Sequence, residues 1–397
     1  MNPNPRLDVD RIIDDRRTRV IVCCGSGGVG KTTTAAALGL RAAERGRQVC
    51  VLTVDPARRL AQSMGLSTLD NTPRLIEGVE GEAGGSLHAM MLDMKRTFDE
   101  IVEAHADPAR AAQILANPFY QSLSSSFAGT QEYMAMEKLG QLRRSDEWDL
   151  IIVDTPPSRS ALDFLDAPER LGRFLDGRLI RLLTSPVKAS RPFTRVLNAG
   201  FSVMTGALTK LLGAQVLRDA QTFITAFDSM FGGFRERADA TYRLLQTPGT
   251  SFIVIAVPEP DALREASYFV ERLAEGRMPL AGLILNRVHS AGGCRLSAAR
   301  SVALAESLES TSTTSGQNGP VAEASSAHYQ AHSPYAVTAA ALRLHASRMS
   351  LGERERRVAG AFTSAHPAVP VLEVPALPED VHDLAGLRRV GGFFAGD

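Results

Sequence analysis

The stretch Gly25 Ser26 Gly27 Gly28 Val29 Gly30 Lys31 Thr32 Thr33 stands between the apolar run Val20 Ile21 Val22 Cys23 Cys24 and a helix-compatible run from Thr34 to Glu44. A strand, a glycine-rich turn and a helix in that order leave few folds open. The glycines let the backbone curl so that successive N–H groups face one anion, and the following helix adds the positive end of its dipole. In such a phosphate-binding loop Lys31 reaches the β- and γ-phosphates and Thr32 a magnesium ion, so the pattern implies ATP or GTP as ligand.

The same residues also satisfy a dinucleotide pattern, with Gly25, Gly27 and Gly30 at the required spacing and an acid, Asp55, after the next apolar run. Lys31 separates the two readings. A lysine in the first turn of a helix opposes the macrodipole unless an anion lies close by. A nicotinamide site has no use for that lysine or for the Thr pair after it, which leaves an oxidoreductase as the remote reading.

Short apolar runs recur at Val49 to Val54, Met90 to Leu92, Leu150 to Val153, Phe252 to Val257, Leu280 to Leu285 and Val369 to Val374, most of them separated by helical stretches. Buried strands alternating with helices predict an α/β fold, a mostly parallel sheet covered by helices on both faces, with ligands at the C-terminal strand ends. Residues 1–19 read as an N-terminal extension, and 20–397 as a single P-loop domain. Helical insertions interrupt it at about 97–144 and 161–245, and together they predict a helical subdomain beside the sheet. In the second, Phe201, Met204, Leu208, Leu212 and Val216 fall at helical spacing. A core stripe and a groove for a client both fit that pattern. The Ser/Thr-rich tract within 307–333 reads as a polar, mobile loop.

Composition narrows the partners. The 44 basic residues balance 44 acidic ones, so the chain has no global field to draw it to nucleic acid. No run approaches a membrane-spanning length, and the charged first nineteen residues lack a signal-peptide core, so the expectation is a cytoplasmic chain without a membrane span. Cys23, Cys24, Cys50 and Cys294 form no C-x-x-C pair and read as small buried apolar groups rather than metal ligands.

Two acids complete the candidate site. Asp154 follows Leu150 Ile151 Ile152 Val153, the apolar-strand-then-acid form of a Walker B site, and points to a role at the metal. Thr155, Pro156 and Pro157 after it enforce an extended loop. Asp55 precedes Pro56, which keeps it in a loop facing the same crevice. There it could position or activate an attacking water or simply form a turn.

The glycine loop, Val54 Asp55 Pro56 Ala57 and Asp154 Thr155 Pro156 Pro157 together resemble the family of arsenite-pump ATPases and tail-anchored-protein targeting ATPases. The resemblance extends to Gly129 to Leu139, to Leu283 Ile284 Leu285 Asn286 Arg287 and to Pro375 to Leu387, and so covers most of the chain. It implies a dimeric P-loop ATPase with a deviant Walker A loop, ATP and magnesium as cofactors, and a hydrophobic client or membrane-protein partner. It also implies that Asp55 is the switch aspartate handling the catalytic water and that Asn286 hydrogen-bonds adenine.

The chain departs from that pattern at several points. Ser26 stands where the family carries the second lysine, the one that crosses the dimer interface. Loss of that cation predicts slow hydrolysis unless Arg58, Arg59 or a lysine-bearing paralogue in a heterodimer replaces it. Arg58 Arg59 and Ser158 Arg159 Ser160 replace the family's histidine-bearing switch residues, and no cysteine cluster offers arsenite a soft site. Only Met204 and Met230 lie in the longer insertion, far from a methionine-rich lining.

Overall fold

A computed structural model of the chain describes residues 4–54, 59–66, 68–79, 84–118, 120–121, 130–156, 236–237, 239–289, 296–315 and 334–395. The frame is an eight-stranded sheet. Its strands are β1 (Val20–Cys24), β2 (Gln48–Thr53), β3 (Arg74–Leu75), β4 (Ser86–Met91), β5 (Leu150–Asp154), β6 (Thr250–Ala256), β7 (Leu280–Val288) and β8 (Val371–Pro375). In space they run β3-β4-β2-β5-β1-β6-β7-β8, and every pairing is parallel except that of β3 with β4.

Burial follows position in the sheet. β1 and β5 lie at its centre and are buried at every residue, so continuous apolar runs mark them. β4 lies one strand from the edge, with Ser86 and His88 half-buried, and its apolar run is accordingly shorter than the strand. β3 is only Arg74 and Leu75, both exposed, and so offers no apolar run.

Ten helices are defined among the described residues. They are α1 (Val9–Asp14), α2 (Lys31–Glu44), α3 (Arg59–Ser63), α4 (Met94–His105), α5 (Pro108–Ala116), α6 (Thr130–Ser145), α7 (Pro260–Glu275), α8 (Ala298–Ser315), α9 (Pro334–Ala365) and α10 (Leu384–Gly392). The sheet separates two cores. On one face Ala35, Ala36 and Leu38 of α2 pack with Ile21, Val51, Ile152 and Ile253, and Leu387 and Val390 of α10 close the layer. On the other, Phe98, Ile101 and Val102 of α4 and Met134 and Leu139 of α6 meet Val22, Leu52 and Val153, beside Phe269 of α7 and Phe362 of α9. Rather than standing beside the sheet, α4 and α6 thus cover one of its faces, because their apolar stripes are the partner that face needs.

The first residues are tied to the domain. The amide of Leu7 donates to Val371 O at 3.2 Å, and the amide of Val371 donates to Pro5 O at 2.9 Å, which extends the sheet beyond β8. Asp10 of α1 receives the Arg41 guanidinium at 2.6 Å, and Arg47, 1% exposed, donates to the carbonyls of Ile13, Thr18 and Asp149. Burial pulls the Arg47 guanidinium below its ordinary value, with the neighbouring Arg16 adding to the effect.

The polar tract departs from expectation over its first part. α8 carries it as helix to Ser315, and Glu309 is held by Arg343 of α9 at 2.7 Å, so the neighbouring helix supplies the order that the residues 307–315 lack by themselves. Residues 316–333 and nearly all of 161–245, with the Phe201 to Val216 stripe, lie outside the described residues, as does Cys294.

Candidate functional site

β1 delivers the glycine loop to the middle of the C-terminal edge, flanked by β5 on one side and β6 on the other. Gly25 leaves the strand at φ 154°, and a Cβ there would lie 2.1 Å from the carbonyl oxygen of Ile255 on β6. Gly30, at φ 95°, caps α2, and its Cβ would lie 2.3 Å from Asn286 Nδ2. No side chain fits at either place without moving the Ile255 backbone or the half-buried Asn286 side chain. Lys31, the first residue of α2, is buried and folds back across the loop so that Nζ donates to Ser26 O at 2.7 Å. The ammonium is thereby held at the helix N-terminus against its own dipole, an arrangement that favours a bound anion.

Asp154 ends β5 level with Cys23 of β1 and Thr53 of β2, and it is fully buried. Its Oδ2 accepts from Thr32 Oγ1 at 2.8 Å and from Thr53 Oγ1 at 2.9 Å. Two hydroxyls and a carboxylate from three elements therefore meet directly beneath the glycine loop. Thr155 Oγ1 donates to Cys23 O at 2.8 Å and pins the start of the following loop to β1. Thr32 and Asp154 offer hard oxygen donors, which suit a small hard cation such as magnesium. Among the described residues no group of three or more His, Cys, Asp or Glu side chains could cage a metal.

The loop opens onto a cavity of about 940 Å³. Gly27, Gly28 and residues Gly30 to Thr34 line it, with Gln62 and Ser63 of α3. Asn286, Arg287 and His289 at the end of β7 and residues between Val374 and His382, at the end of β8 and beyond it, line it as well. The volume lies within the usual range for small-molecule sites, roughly 300–1,000 Å³. Asn286 Nδ2 donates to Val29 O at 2.8 Å while its Oδ1 accepts from the Arg287 amide at 3.0 Å. Pro375 to Leu377, at the end of β8, comes to this cavity because the Ala376 amide donates to Val288 O beside it.

Of the residues singled out from sequence, Gly25, Ser26, Gly27, Gly28, Val29, Gly30, Lys31, Thr32, Thr33, Asp154 and Asn286 are gathered at this edge of the sheet. Asp55 and Arg58 lie outside the described residues, as do 157–160, and of Arg59 only its place at the start of α3 is described. Thr53, Gln62, Ser63 and His289 carried no motif. Thr53 could have been found as the last residue of the strand before Asp55, while the others are brought in by tertiary structure alone.

Cys23, Cys24 and Cys50 are buried free thiols. Burial pushes Cys24 and Cys50 up to about 12, and Cys23 well above its ordinary 9.0, where the nearby Asp154 carboxylate adds to the effect. They act as apolar strand residues, not as nucleophiles.

The loop at the head of a central parallel strand, its lysine and the carboxylate beneath it define a P-loop nucleotide-binding protein. The family model described as "Anion-transporting ATPase" matches residues 18–303, and the chain belongs to that family of ATPases. Its relatives include ATPase ARSA2 of Chlamydomonas reinhardtii, 24% identical over 75% of this chain and 76% of the relative. ATPase GET3 of Malassezia globosa is 25% identical over 70% of this chain and 76% of its own length. An ATPase ASNA1 homolog of Babesia bovis is 24% identical over 71% and 70%. Among the described residues no helix is long and apolar enough to cross a membrane.

Proposed function

We propose that the chain binds ATP with magnesium and hydrolyses it, and that its nucleotide state opens and closes a dimer serving a client or transport partner in the cytoplasm. The observation that carries this reading is the hydrogen bond from Thr32 to Asp154, which joins the first turn of α2 to the end of β5 beneath a glycine loop. In this reading the loop amides from Gly25 to Thr33 bind the phosphates, and Lys31 swings from Ser26 O to the β- and γ-oxygens. Thr32 and Asp154 would hold a magnesium ion, which would supply positive charge at the phosphates. Asp55 orients the attacking water and takes its proton, and the amide of Asn286 keeps a second N–H and a second lone pair for adenine.

A second reading rests on Ser26. Its carbonyl is the partner of Lys31, and no second lysine stands in the loop from Gly25 to Thr33. On this reading the chain is a nucleotide-sensing subunit that binds ATP with little turnover and pairs with a lysine-bearing paralogue.

Magnesium-dependent phosphate release measured across protein concentration, with Lys31→Ala as blank, tests both. Specific activity that rises with concentration supports a catalytic homodimer. ATP binding without turnover at any concentration supports the sensing subunit, and no Lys31-dependent binding ends both readings. Asp55→Asn is expected to spare binding and stop release; loss of binding in that variant removes Asp55 from its assigned role.

A further inference from the structure

The end of β7 is held from two sides. On the loop side, Asn286 reaches Val29 O at 2.8 Å. On the other, Glu355 of α9, 7% exposed, accepts from the His289 amide with Oε2 and from His289 Nδ1 with Oε1, both at 2.8 Å. A Cβ on Gly352, one turn earlier in α9, would lie 2.6 Å from His289 O, so the helix backbone itself abuts this residue. Arg287, between the two anchors, sits at φ 57°, a strained conformation for a side-chain-bearing residue that lasts only where neighbours hold it. A deeply buried carboxylate spent on orienting one imidazole beside a ligand cavity is costly unless that orientation matters.

The orientation has a chemical consequence. A carboxylate accepts only, so the bond at Oε1 requires the proton on Nδ1 and leaves Nε2 of the neutral ring as an acceptor. His289 lines the same cavity as Lys31, three residues beyond Asn286. We propose that His289 is a specificity-determining residue that accepts a hydrogen bond from the exocyclic amino group of the bound base, with Glu355 the positioning residue that fixes its tautomer. This rests on the ATP reading given above. A 6-oxo base offers an acceptor at the same place and meets the Nε2 lone pair unfavourably, so the pair selects an amino purine. Asn286, bonded to Val29 O and to the Arg287 amide, keeps one N–H and one lone pair for the same base.

ATP and ITP differ at C6, amino against oxo, and in the proton that the oxo form carries on N1, and the His289 variant separates the C6 contribution from that of N1. Binding of each to the full chain is measured by calorimetry with magnesium, and KM and kcat are measured where turnover occurs. The wild type is expected to prefer ATP by about tenfold, the worth of one hydrogen bond against an unpaired group. In Glu355→Gln the carboxamide oxygen keeps the His289 amide while its NH₂ donates to Nδ1, which moves the ring proton to Nε2. The expected result is loss or inversion of the ATP preference with kcat changed less than about twofold, a shift that general destabilisation would not produce. His289→Ala, at a partly exposed side chain, is expected to bring ATP and ITP to equal affinity and serves if the Glu355 variant does not fold. Unchanged discrimination in a folded variant, with binding still dependent on Lys31, overturns the proposal and leaves the ATP reading standing. Absence of any Lys31-dependent nucleotide binding overturns both.

Discussion

Replacing Thr53 by Val tests whether the carboxylate beneath the loop depends on hydroxyls from two elements. The side chains have nearly equal volume, so the substitution opens no cavity, and Thr53 is 1% exposed, so no water stands ready to replace the lost donor. What disappears is the 2.9 Å bond to Asp154 Oδ2, leaving the 2.8 Å bond from Thr32 on the same oxygen. A hydrogen bond to a buried charged group contributes about 1.5–3 kcal/mol, so the unfolding free energy should fall by about 2 kcal/mol in urea titrations. Thr53→Ser keeps the hydroxyl and should recover most of that loss. A cycle with Asp154→Asn isolates the pair, because the loss at Thr53 should shrink once the carboxylate is gone. If the two substitutions add within about 0.5 kcal/mol, or if Thr53→Val is as stable as the wild type, the hydroxyl does not support Asp154 and the reasoning fails.

Two further outcomes follow from the loop and its strands. Gly25→Ala should remove nucleotide binding and lower the melting temperature, because its Cβ would meet the Ile255 carbonyl at 2.1 Å; a calorimetric titration like that of the wild type would show that the loop can shift after all. Cys23, Cys24 and Cys50 should resist iodoacetamide at pH 8 in the folded chain and label only on unfolding; prompt native labelling at any of them would contradict their burial. Their folded values lie above the ordinary thiol value of 9.0, so the stability from burying them is complete below about pH 9 and drains away as pH climbs towards 12. Urea midpoints across that range read the loss.

The sequence alone was enough for the parts whose chemistry is local. A turn that must curl around an anion shows itself in Gly25 to Thr33, and a central strand buried on both faces shows itself as an unbroken apolar run, so β1 and β5 were legible almost to the residue. Asp154 was legible because a carboxylate at the end of such a strand is conspicuous. β3 and the polar start of β4 were not, since half-exposed edge positions accept many residue types. The order of the strands, which sets Asp154 beside Cys23 and Asn286 against Val29, was decided by which apolar faces the helices could cover together. The same packing brings Glu355, 66 residues along the chain, to the ring of His289. Nothing in the spacing of those two residues announces that contact, because hydrogen bonds between distant segments depend on where the fold carries them and leave no period in the sequence.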